Sequence, residues 1–291
     1  MHPALRTLLP GPAAGELPAP IDAALAAGAA AAGVGGAFLG GYQAALQALV
    51  PGLPADGQTA LCATEDGGAH PRTIATRLTP AEGGGWRMSG RKRWVTGGPR
   101  AARLLIVASL GQDAGGLNRL RVVLVPAATP GVTIEALPPT PFAPEVPHAA
   151  VELDRVYVPE EAMLPGDGWE GYLKPFRTVE DVHVHGALLA WLLALGLSAG
   201  WETPLLEEAA ALLLATRELA LRDPSAAATH VCLAGLLALS RAWIERTRAA
   251  WDKLPPATRA ALDRDLALLG VAETARSRRA ETAWRTLSRD A

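Results

Sequence analysis

The chain changes from short β-type segments to long apolar helical segments near residue 166, and this change constrains the fold more than any single motif. Residues 58–165 contain short alternating or β-branched segments such as TIATRL, KRWVT, LLIVASL and RVVLVP, separated by Gly, Pro, Asp and Asn turns. From about residue 168 onward, apolar residues recur at helical spacing in four long segments. The chain is therefore predicted to belong to the α+β class.

Three regions follow from this pattern. We expect residues 58–165 to form an antiparallel β-barrel or sandwich, and residues 166–291 to form an antiparallel four-helix bundle. Residues 1–57 are rich in Ala, Gly and Pro and predict a reduced N-terminal helical segment, with one helix near residues 37–49. Thr178 is the expected N-cap of the first helix of the bundle.

Composition narrows the classes of function. The formal net charge of −2 favours neither a nucleic-acid partner nor an anionic membrane surface. The two cysteines cannot build a disulfide framework, and no G-x-S-x-G hydrolase motif is present. His183 and His185 are two residues apart and point to different sides of a helix, so no metal is predicted.

We also expect a cytoplasmic protein without a membrane span. No basic-then-apolar order typical of a secretory signal precedes residue 20. The apolar run 23–55 is mostly Ala and Gly and is interrupted by Gln and Pro, and the run 186–200 is too short to span a bilayer comfortably.

The segment GRKRWVTGG, residues 90–98, places Trp94 and Thr96 one residue apart on a predicted strand. In one interpretation both side chains face a flat cofactor. In the other, Trp86 and Trp94 form a cross-strand aromatic pair inside an ordinary core. The residues by themselves leave both interpretations open.

Three ordered motifs resemble the acyl-CoA dehydrogenase family. PGLPADGQTALCATEDGGAH is similar to the segment that leads into the middle domain of that family. GWRMSGRKRWVTGG is similar to its strand pair with the signature G-x-K-x-W-I-T-N-G, and VELDRVYVP followed by GDGW resembles the strand that closes the domain. The resemblance covers roughly residues 30–200.

The resemblance implies a flavin site with FAD as the cofactor. Trp94 would flank the isoalloxazine ring and Thr96 would hydrogen-bond near its N5, with Val95 between them on the same strand. Ala63 and Thr64 would contact the pyrimidine end of the ring. A donor and a stiff aromatic wall beside N5 are the tuning that a protein supplies to a flavin.

The chain also departs from the family pattern at the substrate side. Ala69-His70-Pro71 replaces the glycine-serine-aspartate whose serine contacts acyl-CoA, which makes His70 the candidate substrate-binding residue. WRTLSRDA resembles the arginine-aspartate-alanine stretch that precedes the catalytic glutamate of many members. Because the sequence ends there, we expect no counterpart of that glutamate.

Glu180 is the remaining candidate for a catalytic base. In a branch of the family, the glutamate instead stands at the start of the first helix of the C-terminal domain, a few residues before a glycine. Glu180 precedes Gly186 by six residues, although Asp181 follows it where an arginine is common. A buried carboxylate there could remove the α-proton of an acyl thioester. The alternative is an ordinary acidic residue near a helix N-terminus.

Functions from different classes remain open. The first is an acyl-CoA dehydrogenase-like, FAD-dependent oxidoreductase acting on the CH–CH bond of an acyl thioester or a related small molecule. The second is a degenerate, non-catalytic homologue that serves as a binding or partner subunit with weak or no FAD binding. A flavin-independent binder of an acyl or nucleotide group is a third. In the place of the family's arginine-x-x-phenylalanine-glycine segment, which helps to hold the FAD pyrophosphate, stands WETPLLEEAAALL.

The expected partners are small molecules and further protein chains. An acyl-CoA or related compound is the expected substrate. A homodimer is predicted because the apolar residues Leu188, Leu192 and Leu195 require cover, and a full-length relative is the other candidate partner. No nucleic-acid partner is expected.

Overall fold

The protein is described from a computed structural model, which covers residues 18–265, 268 and 272–289. Within these residues the chain forms two compact units. Gly52–Thr140 and Glu145–Pro175 form one of them, called the β unit below. The helices on either side of it in the sequence, together with Pro141–Pro144, form the helical unit. The division into domains at residues 57 and 165 stays a prediction.

The β unit contains one seven-stranded sheet. Its strands are β1 (Gln58–Cys62), β2 (Arg77–Pro80), β3 (Trp86–Thr96), β4 (Ala101–Gln112), β5 (Asn118–Pro126), β6 (Val132–Ala136) and β7 (His148–Val158). They lie in the order β1-β4-β2-β3-β7-β6, and β5 also pairs with β4. Short 3-10 helices follow or separate them at Pro71–Thr73, Gly98–Arg100 and Glu160–Ala162.

The sheet is mixed, so the predicted purely antiparallel barrel or sandwich is wrong. β1 runs parallel to β4 along the register from Thr59↔Arg103 to Cys62↔Ile106, and β2 also meets β4 in parallel. The other pairs are antiparallel. Alternation along a strand identifies the strand but does not choose its partner. A parallel pair needs a long connection, which β2 and β3 supply here between β1 and β4.

One face of the sheet carries the apolar core of the β unit. Period-2 alternation places β-branched and aliphatic side chains there. The buried members of this core are Ala60, Cys62, Leu78, Met88, Val95, Leu104, Ile106, Ala108, Val123, Val125, Ala149, Val151, Leu153, Val156 and Val158.

The helical unit is built from seven described α-helices. They are α1 (Pro20–Ala30), α2 (Val34–Leu49), α3 (Lys174–Ala199), α4 (Thr203–Ala220), α5 (Ala227–Thr247), α6 (Pro256–Asp265) and α7 (Glu273–Leu287). A π-helical turn at Trp169–Leu173 precedes α3, and a 3-10 helix at Arg248–Lys253 follows α5. The N-terminal segment therefore holds two described helices rather than one. The predicted antiparallel four-helix arrangement stays a prediction.

The start of α3 differs from the sequence-based expectation. The helix begins at Lys174, so Thr178 lies within it and is buried instead of acting as an N-cap. The hydroxyl of Thr178 accepts a hydrogen bond from Arg279 Nη1 at 3.1 Å. A tertiary contact has therefore replaced the local capping contact that the sequence suggested.

Small residues let the N-terminal helices approach α3 closely. A Cβ added to Gly28 of α1 would lie 2.0 Å from the carbonyl oxygen of Ala187. A Cβ added to Gly41 of α2 would lie 2.6 Å from Cα of Val184. The Ala/Gly-rich composition before residue 50 is thus a requirement of close helix packing.

The argument for a homodimer from Leu188 and Leu192 is wrong. These side chains are 9% and 6% exposed within the single chain, and Leu195 is half-buried. Val34 and Ile244 line the same apolar pocket as Leu188 and Leu192. Helices of the same unit provide the expected cover, so a homodimer stays a prediction without this support.

Two helical segments are long and apolar enough to cross a membrane by length and composition. They are Trp169–Ala199, with 72% of its most apolar window buried inside the protein, and Ala227–Lys253, with 33% buried. A core helix passes the same test, and the burial of the first segment is typical of one.

Candidate functional site

A β-bulge in β3 turns Trp94 away from the core. The antiparallel register with β7 shifts between Lys92 and Val95, where β3 accommodates one extra residue. Trp94 has a φ of 56°. Its side chain is 48% exposed, whereas the neighbouring Val95 is 1% exposed. A bulky residue at positive φ costs about 1–3 kcal/mol, and such strain concentrates at functional sites.

Trp94 and Thr96 lie on the side of the sheet that faces away from the core. Val95, between them, belongs to the core, and Thr96 pairs directly with His148 on β7. Adjacent strand residues face opposite sides, so Thr96 points away from the side that buries Val95. The interpretation of Trp86 and Trp94 as a cross-strand pair is wrong, because both lie on β3.

The segment that follows β1 lies beside the bulge. The backbone N–H of Arg93 donates to the carbonyl oxygen of Thr64 at 2.8 Å. Ala63 and Thr64 are half-buried and continue directly from the buried Cys62. The β unit therefore brings Ala63 and Thr64 next to the strand that carries Trp94.

A buried ion pair joins these two segments immediately beside that hydrogen bond. Lys92 Nζ lies 2.7 Å from Glu65 Oε1, with the two side chains 0% and 8% exposed. Lys92 also donates to the carbonyl of Val107 at 2.6 Å. Glu65 accepts from the backbone N–H groups of Ala75 and Thr76 at 2.7 and 3.0 Å, and from the Thr76 hydroxyl at 2.7 Å. Both buried charges are thus compensated by hydrogen bonds.

The network favours the carboxylate form of Glu65. Burial by itself raises the pKa of the Glu65 carboxyl, but the charge of Lys92 and the hydrogen bonds to Glu65 outweigh it, so this pKa lies below its usual value. Burial lowers the pKa of the Lys92 ammonium group, and Glu65 opposes that change. The pair anchors the strand of Trp94 to the segment of Thr64.

Gly90 makes room for this network. A Cβ on Gly90 would lie 2.5 Å from Oγ1 and 2.6 Å from Cα of Thr76, the residue that hydrogen-bonds Glu65. The φ of Gly90 is 154°, which side-chain-bearing residues rarely adopt. The glycine and the lysine of the G-x-K-x-W motif therefore serve the same buried network.

Two side chains flank the exposed ring of Trp94. His148 meets it edge-on, with ring centroids 6.0 Å apart and planes at 72°. The guanidinium carbon of Arg93 lies 5.8 Å from the ring centroid, and Arg93 Nη1 contacts Asp66 Oδ1 at 3.3 Å. Edge-to-face and cation–π contacts both stabilise an aromatic ring in one position. The indole is held by its neighbours while nearly half of its surface stays exposed.

These residues fit a flat, polar ring system such as an isoalloxazine. The Trp94 ring is exposed. The hydroxyl of Thr96 makes no hydrogen bond with the part of the chain that the structure describes. Nδ1 of His148 is buried and meets no partner at hydrogen-bonding geometry among the same residues. An aromatic surface with a few unengaged polar atoms beside it is the usual composition of a cofactor site. The side chain of Val95 is in the core, so only its backbone is available to a cofactor.

His70 caps the 3-10 helix at Pro71–Thr73. Its Nδ1 accepts a hydrogen bond from the backbone N–H of Arg72 at 3.3 Å, and its carbonyl accepts from the Thr73 hydroxyl at 2.8 Å. The residue is exposed. Capping accounts for a histidine before this proline, and contact with substrate stays a prediction.

Glu180 belongs to the helical unit, in the second turn of α3. It is half-buried and makes no hydrogen bond within the described residues. Burial raises the pKa of the Glu180 carboxyl to about 7; repulsion from Asp181 adds to this rise, and Arg276 and Arg279 oppose it. A pKa near neutrality suits a general base. Because α3 begins at Lys174, the alternative of a residue in the first turn, stabilised by the helix dipole, does not hold.

Two arginines of α7 clamp Asp181, the neighbour of Glu180. Arg276 donates to Asp181 Oδ1 from Nε at 3.0 Å and from Nη2 at 2.7 Å, and Arg279 Nη2 contacts Oδ2. Asp181 is 10% exposed and each arginine 22%. The helix α7 thus places positive charge beside Glu180. At the position of Asp181 itself, the family commonly has an arginine.

The histidines of α3 have partners inside the helical unit. His183 Nδ1 lies 2.7 Å from the carbonyl of Val179, and His185 Nε2 lies 2.9 Å from Ser240 Oγ. Burial lowers the pKa of both imidazoles, that of His185 to about 4. Among the residues with described positions, no group of three His, Cys, Asp or Glu side chains could hold a metal.

Sequence reasoning missed three residues of this region. Glu65 and Lys92 stand inside the motifs that carry the resemblance. Lys92 is in phase with the buried Met88 along β3, and this phase is the signal that could have identified it. His148 carried no signal, because its contact with Trp94 depends on the register between β3 and β7.

The comparison with protein families supports these observations on the β unit. Residues 60–156 match the family model described as the middle domain of acyl-CoA dehydrogenase. Benzylmalonyl-CoA dehydrogenase from Aromatoleum aromaticum is 30% identical over 138 residues, which are 46% of this chain and 34% of that protein. The probable acyl-CoA dehydrogenase FadE2 from Mycobacterium tuberculosis is 34% identical over 101 residues, 33% of this chain and 24% of that protein. The matches thus span 34% or less of the length of these two relatives.

Solved structures extend the likeness beyond the β unit. FMN-bound TdsC from Paenibacillus sp. A11-2 superposes with a TM-score of 0.66 at 16% identity, covering 91% of this chain and 82% of that chain. Butyryl-CoA dehydrogenase from Megasphaera elsdenii gives 0.64 at 15% identity, with 91% and 81% covered. PigA with FAD and proline gives 0.65 at 16% identity, with 94% and 84% covered. At these identities the likeness shows the fold alone.

Proposed function

Because the chain is a member of the acyl-CoA dehydrogenase family, we propose that it is a flavin-dependent oxidoreductase that oxidises the CH–CH bond of an acyl thioester or a related small molecule. FAD is the proposed cofactor. The relatives named as dehydrogenases of benzylmalonyl-CoA and butyryl-CoA support the substrate class. The neighbours solved with FMN or FAD support a flavin.

The observation that carries this proposal is the position of Trp94. A structural tryptophan gains stability by burial, yet this one is 48% exposed at a positive φ. Lys92 and Glu65 hold the strand and the adjoining segment in place beneath it. The fold therefore keeps an exposed aromatic ring on a strained backbone, beside a threonine hydroxyl without a hydrogen bond to the described residues. Such strain costs free energy and is typical of sites that bind a ligand.

The proposed chemistry divides between a base and a ring site. A bound flavin supplies the acceptor for a hydride from the β-carbon. Glu180, as carboxylate, would be the base for the proton of the α-carbon, so that a C=C bond could form as the hydride leaves the β-carbon. Thr96 would donate a hydrogen bond near N5, and Trp94 would orient the ring and exclude water from one side. His70 is the proposed contact for the thioester.

The experiment begins with an absorbance spectrum of purified protein, before and after incubation with FAD and gel filtration. Retained flavin absorption is the expected result, and its loss in Trp94→Ala but not in Trp284→Ala would place the flavin at the bulge. Trp284 is a suitable control because it is exposed in α7, in the other unit. A protein that stays colourless with excess FAD would contradict the proposal.

A second candidate function is that of a non-catalytic homologue acting as a binding or partner subunit. Two observations favour it: His70 is engaged in capping a short helix, and Asp181 follows Glu180 where an arginine is common. Anaerobic addition of acyl-CoA esters to the flavin-loaded protein separates the two functions. Bleaching of the flavin supports the enzyme, whereas retained flavin without bleaching across a panel of esters supports the non-catalytic homologue.

A further inference from the structure

We propose that His148 is a further binding residue of the flavin site, whose imidazole contacts the ring system that Trp94 and Thr96 face. The inference rests on the proposed function, because the ligand is the flavin proposed above. It goes beyond the residues that the family resemblance supplies, since His148 lies outside all of its matched positions for cofactor contact.

The backbone holds His148 in a defined place. His148 pairs with Thr96 across the β3–β7 ladder, and its carbonyl accepts a hydrogen bond from Leu137 N–H at 2.8 Å. The preceding carbonyl, of Pro147, accepts from Gly97 N–H at 2.8 Å. Directly paired residues of an antiparallel ladder face the same side of the sheet. The imidazole therefore lies on the side of Thr96, opposite to the core.

The His148 ring also lies next to Trp94 and bounds the proposed site there. The centroids of the two rings are 6.0 Å apart with the planes at 72°. This edge-to-face contact is the closest ring contact that Trp94 makes with the described residues, and the strained backbone alone does not fix the indole rotamer. A ligand that stacks on Trp94 would therefore have His148 beside it.

The chemistry of the imidazole suits a ligand contact. Nδ1 is buried and meets no partner at hydrogen-bonding geometry, and the imidazole has a polar contact with the backbone of Val146. Burial lowers the pKa of His148, which a backbone contact with Val146 opposes, so the ring is neutral at pH 7. A neutral imidazole offers one donor and one acceptor. The other polar group near the indole, the Arg93 guanidinium, already engages Asp66.

Binding titrations with lumiflavin, FMN and FAD test the inference. We expect His148→Phe, which preserves an aromatic edge for Trp94, to weaken all three flavins by about threefold to tenfold, the value of one lost neutral hydrogen bond. Equal losses across the three identify the isoalloxazine as the group contacted, since it is the part they share. His230→Ala, which removes an imidazole from the helical unit, is the matched control.

The outcomes separate the two proposals. If the wild type binds a flavin and His148→Phe binds it with the same affinity, the role of His148 is overturned and the proposed function stands. A loss confined to FMN and FAD also overturns it, because the contact would then be with the phosphate side. Absence of binding of every flavin to the wild type overturns both.

A readout without flavin checks the contact itself. Trp94 emission is obtained as the difference between wild type and Trp94→Phe. It should be quenched when His148 becomes protonated, with a midpoint below 6.5 because burial lowers that pKa. His148→Phe should abolish the pH dependence. Emission that does not respond to pH in the wild type contradicts the ring contact on which the inference depends.

Discussion

Lys92 Nζ lies 2.7 Å from Glu65 Oε1 with both side chains out of solvent. The pair connects the strand that carries Trp94 to the segment that carries Thr64. Four further groups hydrogen-bond to the pair: the backbone N–H groups of Ala75 and Thr76, the Thr76 hydroxyl and the Val107 carbonyl. The geometry of the candidate flavin site therefore depends on residues that do not themselves face the site.

Lys92→Met should lower the free energy of unfolding by about 3–5 kcal/mol, because it leaves the Glu65 carboxylate buried without its counter-ion. Glu65→Gln should have a similar effect, and the double variant should lose less than the sum of the two. Arg93→Gln, which breaks the exposed pair with Asp66, should cost about 0–1 kcal/mol. Urea denaturation measures all four, and equal effects of Lys92→Met and Arg93→Gln would contradict the role assigned to the buried pair.

Gly90→Ala should destabilise the protein by more than about 3 kcal/mol, since its methyl group would overlap Thr76 and displace the hydrogen bonds to Glu65. Gly52→Ala is the control. Gly52 also has positive φ but has open space around it, so about 1 kcal/mol is expected. Thermal unfolding compares the two, and a smaller loss in Gly90→Ala than in Gly52→Ala would show that the strand can move away from Thr76.

Trp94→Asn should change the melting temperature little, because the relief of strain at positive φ offsets the loss of the partly buried indole surface. The same variant should lose flavin binding. Measurement of melting temperature and FAD affinity on one preparation tests both parts. A large drop in melting temperature would mean that Trp94 is a core residue after all.

Glu180→Gln should abolish oxidation of the substrate while retaining flavin. In the wild type, activity should rise with pH through about 7, because the carboxylate is the active form and its pKa is raised to that value. The raised pKa also means that ionisation opposes folding. The stabilisation from the neutral carboxyl is fully present below the unfolded pKa of about 4.5 and is lost as pH rises through about 7. This loss of unfolding free energy is at most about 3 kcal/mol. The Glu180→Gln variant should not show it. Unfolding free energies at pH 5 and pH 8 check this.

Arg276→Gln should move the rise of activity with pH to higher pH. Arg276 and Arg279 oppose the rise in the pKa of Glu180, so removal of one arginine raises that pKa further. Arg285→Gln, on an exposed part of the same helix, is the control and should leave the profile unchanged. The pH profile of substrate oxidation measures the effect. A shift of the Arg276→Gln profile to lower pH would contradict the electrostatic assignment.

Local patterns in the sequence were sufficient for the kinds of elements and for the segments that form the candidate site. The apolar and β-branched residues of LLIVASL and RVVLVP identified β4 and β5, and the motif around Trp94 identified the strand that carries it. These features are local because side-chain period and turn chemistry depend on residues close in sequence. Only one of the two N-terminal helices was predicted. Glycines lower the expectation of a helix in a sequence read by itself, but here they allow close packing against α3.

The sequence by itself determined that β-type segments precede helices and that the motif of Trp94 and Thr96 resembles a flavin-facing strand. Only the tertiary structure decided that β1 and β4 run parallel, that a bulge exposes Trp94, and that Leu188 and Leu192 are covered within the chain. It also brought Lys92 to Glu65, His148 to Trp94 and Arg276 to Asp181. The physical reason is the same in each case: partners distant in sequence are chosen by strand register and helix packing, and no local pattern encodes those energies.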